Sequence, residues 1–247
     1  MFNFNQKIIT LISIAVIGII AVMLQSPIKQ DVCYHQFADN RCIEFIPNAV
    51  NVISNLSFVI IGLMGLIYSY FKKIKNDTTA SNYVFFIGIF LTGIGSSVYH
   101  YSPNTITLVW DRIPMTISFM AFFSIIIIEY IHIKFGKGLL WVALTLGIAS
   151  VLYWYVSELN NCGDLRFYAI VQFLPIVLIP IILIIFKKQN QTYYYWLIIL
   201  TYIIAKIFEA NDYQIFNVYK IISGHSLKHL TASIVPLIYL IKISKKV

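Results

Sequence analysis

The sequence predicts an all-α integral membrane protein with eight spans, on three observations. The 247 residues are 59% hydrophobic and only 11% charged, with a mean hydropathy of +0.80. An ordinary soluble domain carries about 25% charged residues. Eight apolar segments of membrane-spanning length follow one another with short connections, at 8–24, 48–71, 82–101, 105–131, 138–157, 167–186, 193–210 and 223–243. Lysines gather in alternate connections, as a fixed orientation in a membrane requires. No polar stretch is long enough for a second domain, and there is no internal repeat or low-complexity tail. One membrane domain, 1–247, is expected.

The segments differ in what they carry. Segment 8–24 follows a short stub with a single lysine, Lys7. Its apolar run is long and no A-x-A-like site follows, which favours an uncleaved anchor over a signal peptide. Segment 48–71 opens on Asn48, Asn51, Ser54 and Asn55. Segment 82–101 closes on Gly95-Ser96-Ser97-Val98-Tyr99-His100. The turn Ser102-Pro103-Asn104 then reverses the chain into 105–131, which carries Trp110-Asp111-Arg112-Ile113-Pro114-Met115. Segments 138–157 and 167–186 are almost wholly apolar. Segment 193–210 ends on Glu209, with Asp212 just beyond, and segment 223–243 opens on Gly224-His225-Ser226-Leu227-Lys228-His229-Leu230.

A cytoplasmic N-terminus puts Lys7, Lys72, Lys73, Lys75, Lys134, Lys137, Lys187, Lys188, Lys242, Lys245 and Lys246 on the inner side, 11 of the 18 basic residues. The net charge of +8 is thereby explained by loop lysines, and no nucleic-acid partner is inferred. Cys33, Cys42 and Cys162 fall outside. In a bacterial inner membrane that side is the oxidising periplasm, where a disulfide is permitted. Three thiols leave the pairing open.

In this orientation the costly polar residues of five segments collect at similar depth on the outer side. An ionisable group within a membrane segment is by default a functional hypothesis. His225 and His229 are four apart and share a helix face, as do Ser96 and His100. Alone, the His pair is also what a wet helix end shows. With His100 it becomes three His, the ligand number of a catalytic zinc site that keeps a position open for water. Asp111 is the candidate acid–base group and Ser96 the candidate hydrogen-bond donor to an oxyanion. Glu209 and Asp212 are candidates to support the His ligands. An ion pair with Arg112 remains the alternative for Asp111, and small-residue packing beside Gly93 and Gly95 the alternative for Ser96.

Ser96-x-x-x-His100, Asp111-x-x-Pro114-Met115 and His225-x-x-x-His229 resemble the alkaline ceramidases. They also resemble the wider superfamily of seven-helix membrane hydrolases that includes adiponectin-type receptors. Asn51-Val52-Ile53-Ser54-Asn55-Leu56 looks like the start of that family's first core helix. The resemblance covers 48–243 as a seven-helix core, with 8–24 as an extra N-terminal helix. It implies zinc on His100, His225 and His229, Asp111 acting on the zinc water, and Ser96 at the oxyanion. The implied reaction is hydrolysis of the amide of ceramide or a ceramide-like lipid, entering from the bilayer, to a long-chain base and a fatty acid. Eukaryotic members also carry an acidic calcium site. Here Asp31-Val32-Cys33 looks like its opening Asp-x-Cys, but the acids expected next are missing, so calcium stays open, with Asp31 and Asp39 as candidates. The alternative reading is a receptor or transport protein of the same superfamily with a structural zinc. The oligomeric state is left open.

The lysine asymmetry predicts eight spans with both termini cytoplasmic. A reporter fused after Val247 should therefore report from the cytoplasm, and one reporting from the outer side overturns the topology. A mature N-terminus near Ser26 would instead mean that 8–24 is a cleaved signal.

Overall fold

The computed structural model describes residues 3–72, 76–187 and 191–245. Four of the inner lysines, Lys73, Lys75, Lys188 and Lys246, and the fusion point Val247 lie outside the described residues. Among the described residues ten α-helices run in order: α1 Phe4–Met23, α2 Ala49–Ser54, α3 Leu56–Phe71, α4 Thr79–Tyr101, α5 Thr105–Tyr130, α6 Ile133–Leu159, α7 Arg166–Ile185, α8 Thr192–Ala210, α9 Asp212–Tyr219 and α10 Gly224–Ser244. Taking α2 and α3 as one span, eight are long and apolar enough to cross a membrane. The chain is an all-α integral membrane protein, as the composition required, and each expected apolar segment is found as a helix.

Three local features were not expected. Segment 48–71 is broken at Asn55. The Asn51 carbonyl there accepts from Ser54 Oγ at 2.9 Å and from Asn55 Nδ2 at 2.8 Å. Side chains that bond the nearby backbone compete with the helix ladder and interrupt it. The connection after Ala210 contains a two-turn helix, α9. Finally, α6 starts earlier than the apolar run because the His132 side chain caps it, accepting from Phe135 N at 3.2 Å.

The chain packs as two compact units. The first holds residues 1–31, 75–85 and 116–190. Here α1 and α6 both pack on α7, and Met120, Ala143 and Val171 form a small core. Arg166 grips Asp164 at 2.7 Å and reaches the Gln25 carbonyl, also at 2.7 Å, which ties the end of α1 to the α6–α7 turn. That guanidinium holds the Asp164 carboxyl below the usual carboxylate range. The second unit holds 32–74, 86–115 and 191–247. In it α10 packs on α8, α3 and α2. Among the described residues no disulfide joins Cys33, Cys42 or Cys162, and all three are exposed.

Within the second unit the end of α4 crosses the start of α5 at backbone contact. A Cβ on Gly95 would stand 2.0 Å from the Trp110 carbonyl oxygen. The absent side chain is what lets the Ser96 and Asp111 backbones approach. Gly95→Ala should therefore lower stability by about 1–3 kcal/mol through forced backbone movement. Gly138→Ala, where a Cβ meets nothing within 4 Å, should be neutral or slightly stabilising. Thermal unfolding of both variants in detergent checks the contrast, and equal midpoints would refute it.

Candidate functional site

The last turn of α4 and the first turns of α10 bring three histidines together. His100 is almost fully buried, as is His229, while His225 is half-buried. The ring centroids form a nearly equilateral triangle: His100–His225 4.9 Å, His100–His229 4.9 Å, His225–His229 4.8 Å. One nitrogen from each ring lies within 4.8 Å of the others. His100 Nε2 and His225 Nε2 are 3.3 Å apart. Two ligands at 2.0–2.1 Å from a tetrahedral zinc would stand roughly 3.3–3.4 Å apart. His100 Nδ1 is buried with no hydrogen-bond partner among the described residues, so nothing outside the cluster satisfies that ring. The donor set can hold a metal ion and is compatible with zinc.

A polar frame holds the ring of His229 and the backbones of His100 and His225. His229 Nδ1 lies 2.8 Å from Ser54 Oγ, which itself donates to the Asn51 carbonyl. That order of donors makes Nδ1 the protonated nitrogen and turns Nε2 toward the cluster. Asp212 accepts from the His225 backbone N–H at 2.7 Å and from the Ala38 N–H at 3.0 Å. Asn48 Nδ2 donates to the His100 carbonyl at 2.9 Å. Asn51 Oδ1 accepts from Ser226 Oγ at 2.6 Å and its Nδ2 donates to the Asp39 carbonyl at 3.1 Å. Phe37 covers the rings, 4.5 Å from His100 and 4.8 Å from His225. The 32–48 loop, α2 and Asp212 thus contact all three histidines.

Ser96 and Asp111, both buried, are hydrogen-bonded to each other across the α4–α5 crossing. Arg112 lies over the Tyr34 ring, 5.5 Å from its centroid. Burial, and Arg112 nearby, push His35 below its ordinary range, so this ring, 3.0 Å from the Tyr99 hydroxyl, stays neutral at pH 7. Asp39 has both oxygens on Arg41 at 2.7 Å. Arg41 also donates to the Lys220 and Ile221 carbonyls, which clamps the loop to the approach of α10. Asp31 is exposed and belongs to the other unit. Glu209 bonds Lys206 and, at 3.1 Å, Lys228.

Two roles were missed in the sequence. Ser54 supports His229 from 175 residues away, and no local pattern announces that. Lys228 places its ammonium 3.1 Å from His225 Nε2. Its position three residues after His225, within an apolar segment, was a usable signal.

The fold and the cluster define an integral membrane protein with three histidines placed so that they could hold a metal ion. A family model described as ceramidase matches residues 29–241, and the chain belongs to that family. Comparison with curated proteins and with solved structures returned no match.

Two metal outcomes are expected. The purified protein should hold about one zinc, and His225→Ala should lose it by elemental analysis; undiminished zinc would refute the assignment. Ser54→Ala should weaken zinc binding by roughly 10–100-fold in a chelator competition, because the ring loses its tautomer-fixing partner.

Proposed function

We propose that this protein is a zinc-dependent amidohydrolase that cleaves the amide of ceramide or a ceramide-like lipid to a long-chain base and a fatty acid. The observation that carries it is the compact His100–His225–His229 cluster in a chain of the ceramidase family. His100, His225 and His229 would hold the zinc. When bound, zinc supplies a Lewis acid that polarises a carbonyl and lowers the pKa of water.

Asp111 takes a proton from the attacking water and passes it to the leaving amine. The Ser96 hydroxyl orients that carboxylate through its hydrogen bond and donates to the oxyanion as it forms. Phe37 over the rings shields the site, so these bonds act in a medium of low dielectric. The substrate enters laterally between helices, being already in the bilayer. Calcium has no part in the proposal, because the Asp39 carboxylate is occupied by Arg41. The lysine asymmetry favours an inner membrane with the site on the periplasmic side, and the many Ile, Lys and Asn residues favour a bacterial source.

Asp111→Asn should keep zinc but lose roughly 10²–10⁴ in rate on a ceramide-like amide, since the carboxamide cannot carry the proton. Ser96→Ala should also keep zinc and lose roughly 10²–10³. Turnover by purified, zinc-loaded protein against a panel of lipid amides is the measurement. A zinc-loaded Asp111→Asn protein working at the parent rate would sink the mechanism. A parent inert on every amide would favour a receptor or transport role with structural zinc.

A further inference from the structure

We infer that Lys228 is a further catalytic residue of this site, a fixed ammonium that donates to the carbonyl oxygen of the lipid amide as that oxygen becomes negative. The inference rests on the proposed amidohydrolase reading. His225, Lys228 and His229 are spaced i, i+3 and i+4 on α10 and so share one face. Lys228 Nζ lies 3.1 Å from His225 Nε2, and that nitrogen is 3.3 Å from His100 Nε2. The ammonium therefore stands at the edge of the nitrogen cluster, on the side of the ligand atoms rather than behind the rings.

It is also held in place. Glu209 Oε1 is 3.1 Å from Nζ, and the Lys228 side chain is only 20% exposed. Glu209 is shared with Lys206, so it is not wholly spent on Lys228. Asp111 also lies within electrostatic range of the ammonium, so Lys228 stands near both the cluster and the acid–base candidate. A lysine whose only role was to bridge to Glu209 would be better placed away from a site for a dication, since like charges repel strongly in a water-poor interior. What offsets that repulsion is negative charge developing between them. A donor already aimed there needs no reorganisation when the charge appears.

In the step, the water oxygen bonds to the carbonyl carbon and the carbonyl π pair moves onto oxygen. Asp111 takes the water's proton. Lys228 donates a hydrogen bond to the oxyanion and keeps its own proton throughout. The pair then returns, the C–N bond breaks, and the amine leaves with the proton held by Asp111. Water and amide give amine and fatty acid.

The test uses full-length, zinc-loaded protein with a ceramide-like amide, alongside zinc affinity from chelator competition. Lys228→Met should lower kcat by roughly 10²–10³ with little change in KM. It should also bind zinc more tightly, by about tenfold, the scale of outer-shell effects, because a like charge and a competitor for His225 Nε2 are gone. Lys228→Arg should return part of kcat and restore the parent's zinc affinity. Should Lys228→Met fail to fold, Glu209→Gln, which keeps the ammonium but loosens its tether, should lower kcat with zinc retained. An active parent matched in kcat by Lys228→Met or by Glu209→Gln overturns the role alone. Zinc bound more weakly by Lys228→Met overturns it too, since the lysine would then merely support His225. A parent that hydrolyses no lipid amide overturns the hydrolase reading and this role with it, even where the tighter zinc binding is seen.

Discussion

Burying imidazoles and carboxylates in a membrane-spanning chain is expensive unless each polar atom has a partner, and the second unit is arranged around that cost. His100, His229, Ser96, Asp111, Asn51 and Ser226 are all nearly or fully buried. In an apolar interior an unpartnered polar group costs about 1–3 kcal/mol on mutational scales, and a charge much more. The frame meets most of that demand: Ser54 serves His229, Asp212 serves the backbone of His225, and Asn51 joins α2 to Ser226 on α10. Two features stand out: His100 Nδ1 has no partner among the described residues, and the Nε2 atoms of His100 and His225 face each other at 3.3 Å.

The break between α2 and α3 follows from the same demand. An unbroken helix would spend the Asn51 carbonyl on its own ladder. Here Ser54 and Asn55 bond it instead, and the Ser54 hydroxyl is thereby aimed at His229. The 32–48 loop does comparable work. Arg41 neutralises Asp39 and grips the Lys220 and Ile221 carbonyls just before α10 begins. Loop, α2 and α10 therefore form one hydrogen-bonded assembly, and the geometry of the histidine cluster depends on residues outside it.

Charge at the site is held in linked pairs. Asp111 has Ser96, Asp39 has Arg41, and Glu209 has Lys206 and Lys228. Paired groups keep fixed positions, which is what the proposed hydrolysis would require of them.

Much of this was legible in one dimension. Length, hydropathy and the spacing of apolar runs dictated eight spans, because a chain in lipid must satisfy its backbone within each segment. The i, i+4 spacing put His225 with His229 and Ser96 with His100, since helix periodicity is local. The meeting of His100 with the α10 pair, the Ser96–Asp111 bond, the Ser54 support and the Lys228 approach were decided by tertiary structure. Those contacts join residues up to 175 apart, and they depend on where helices break and how closely they cross. Asn55 interrupts its helix and Gly95 admits the Trp110 carbonyl through side-chain and steric details that hydrophobic periodicity does not encode.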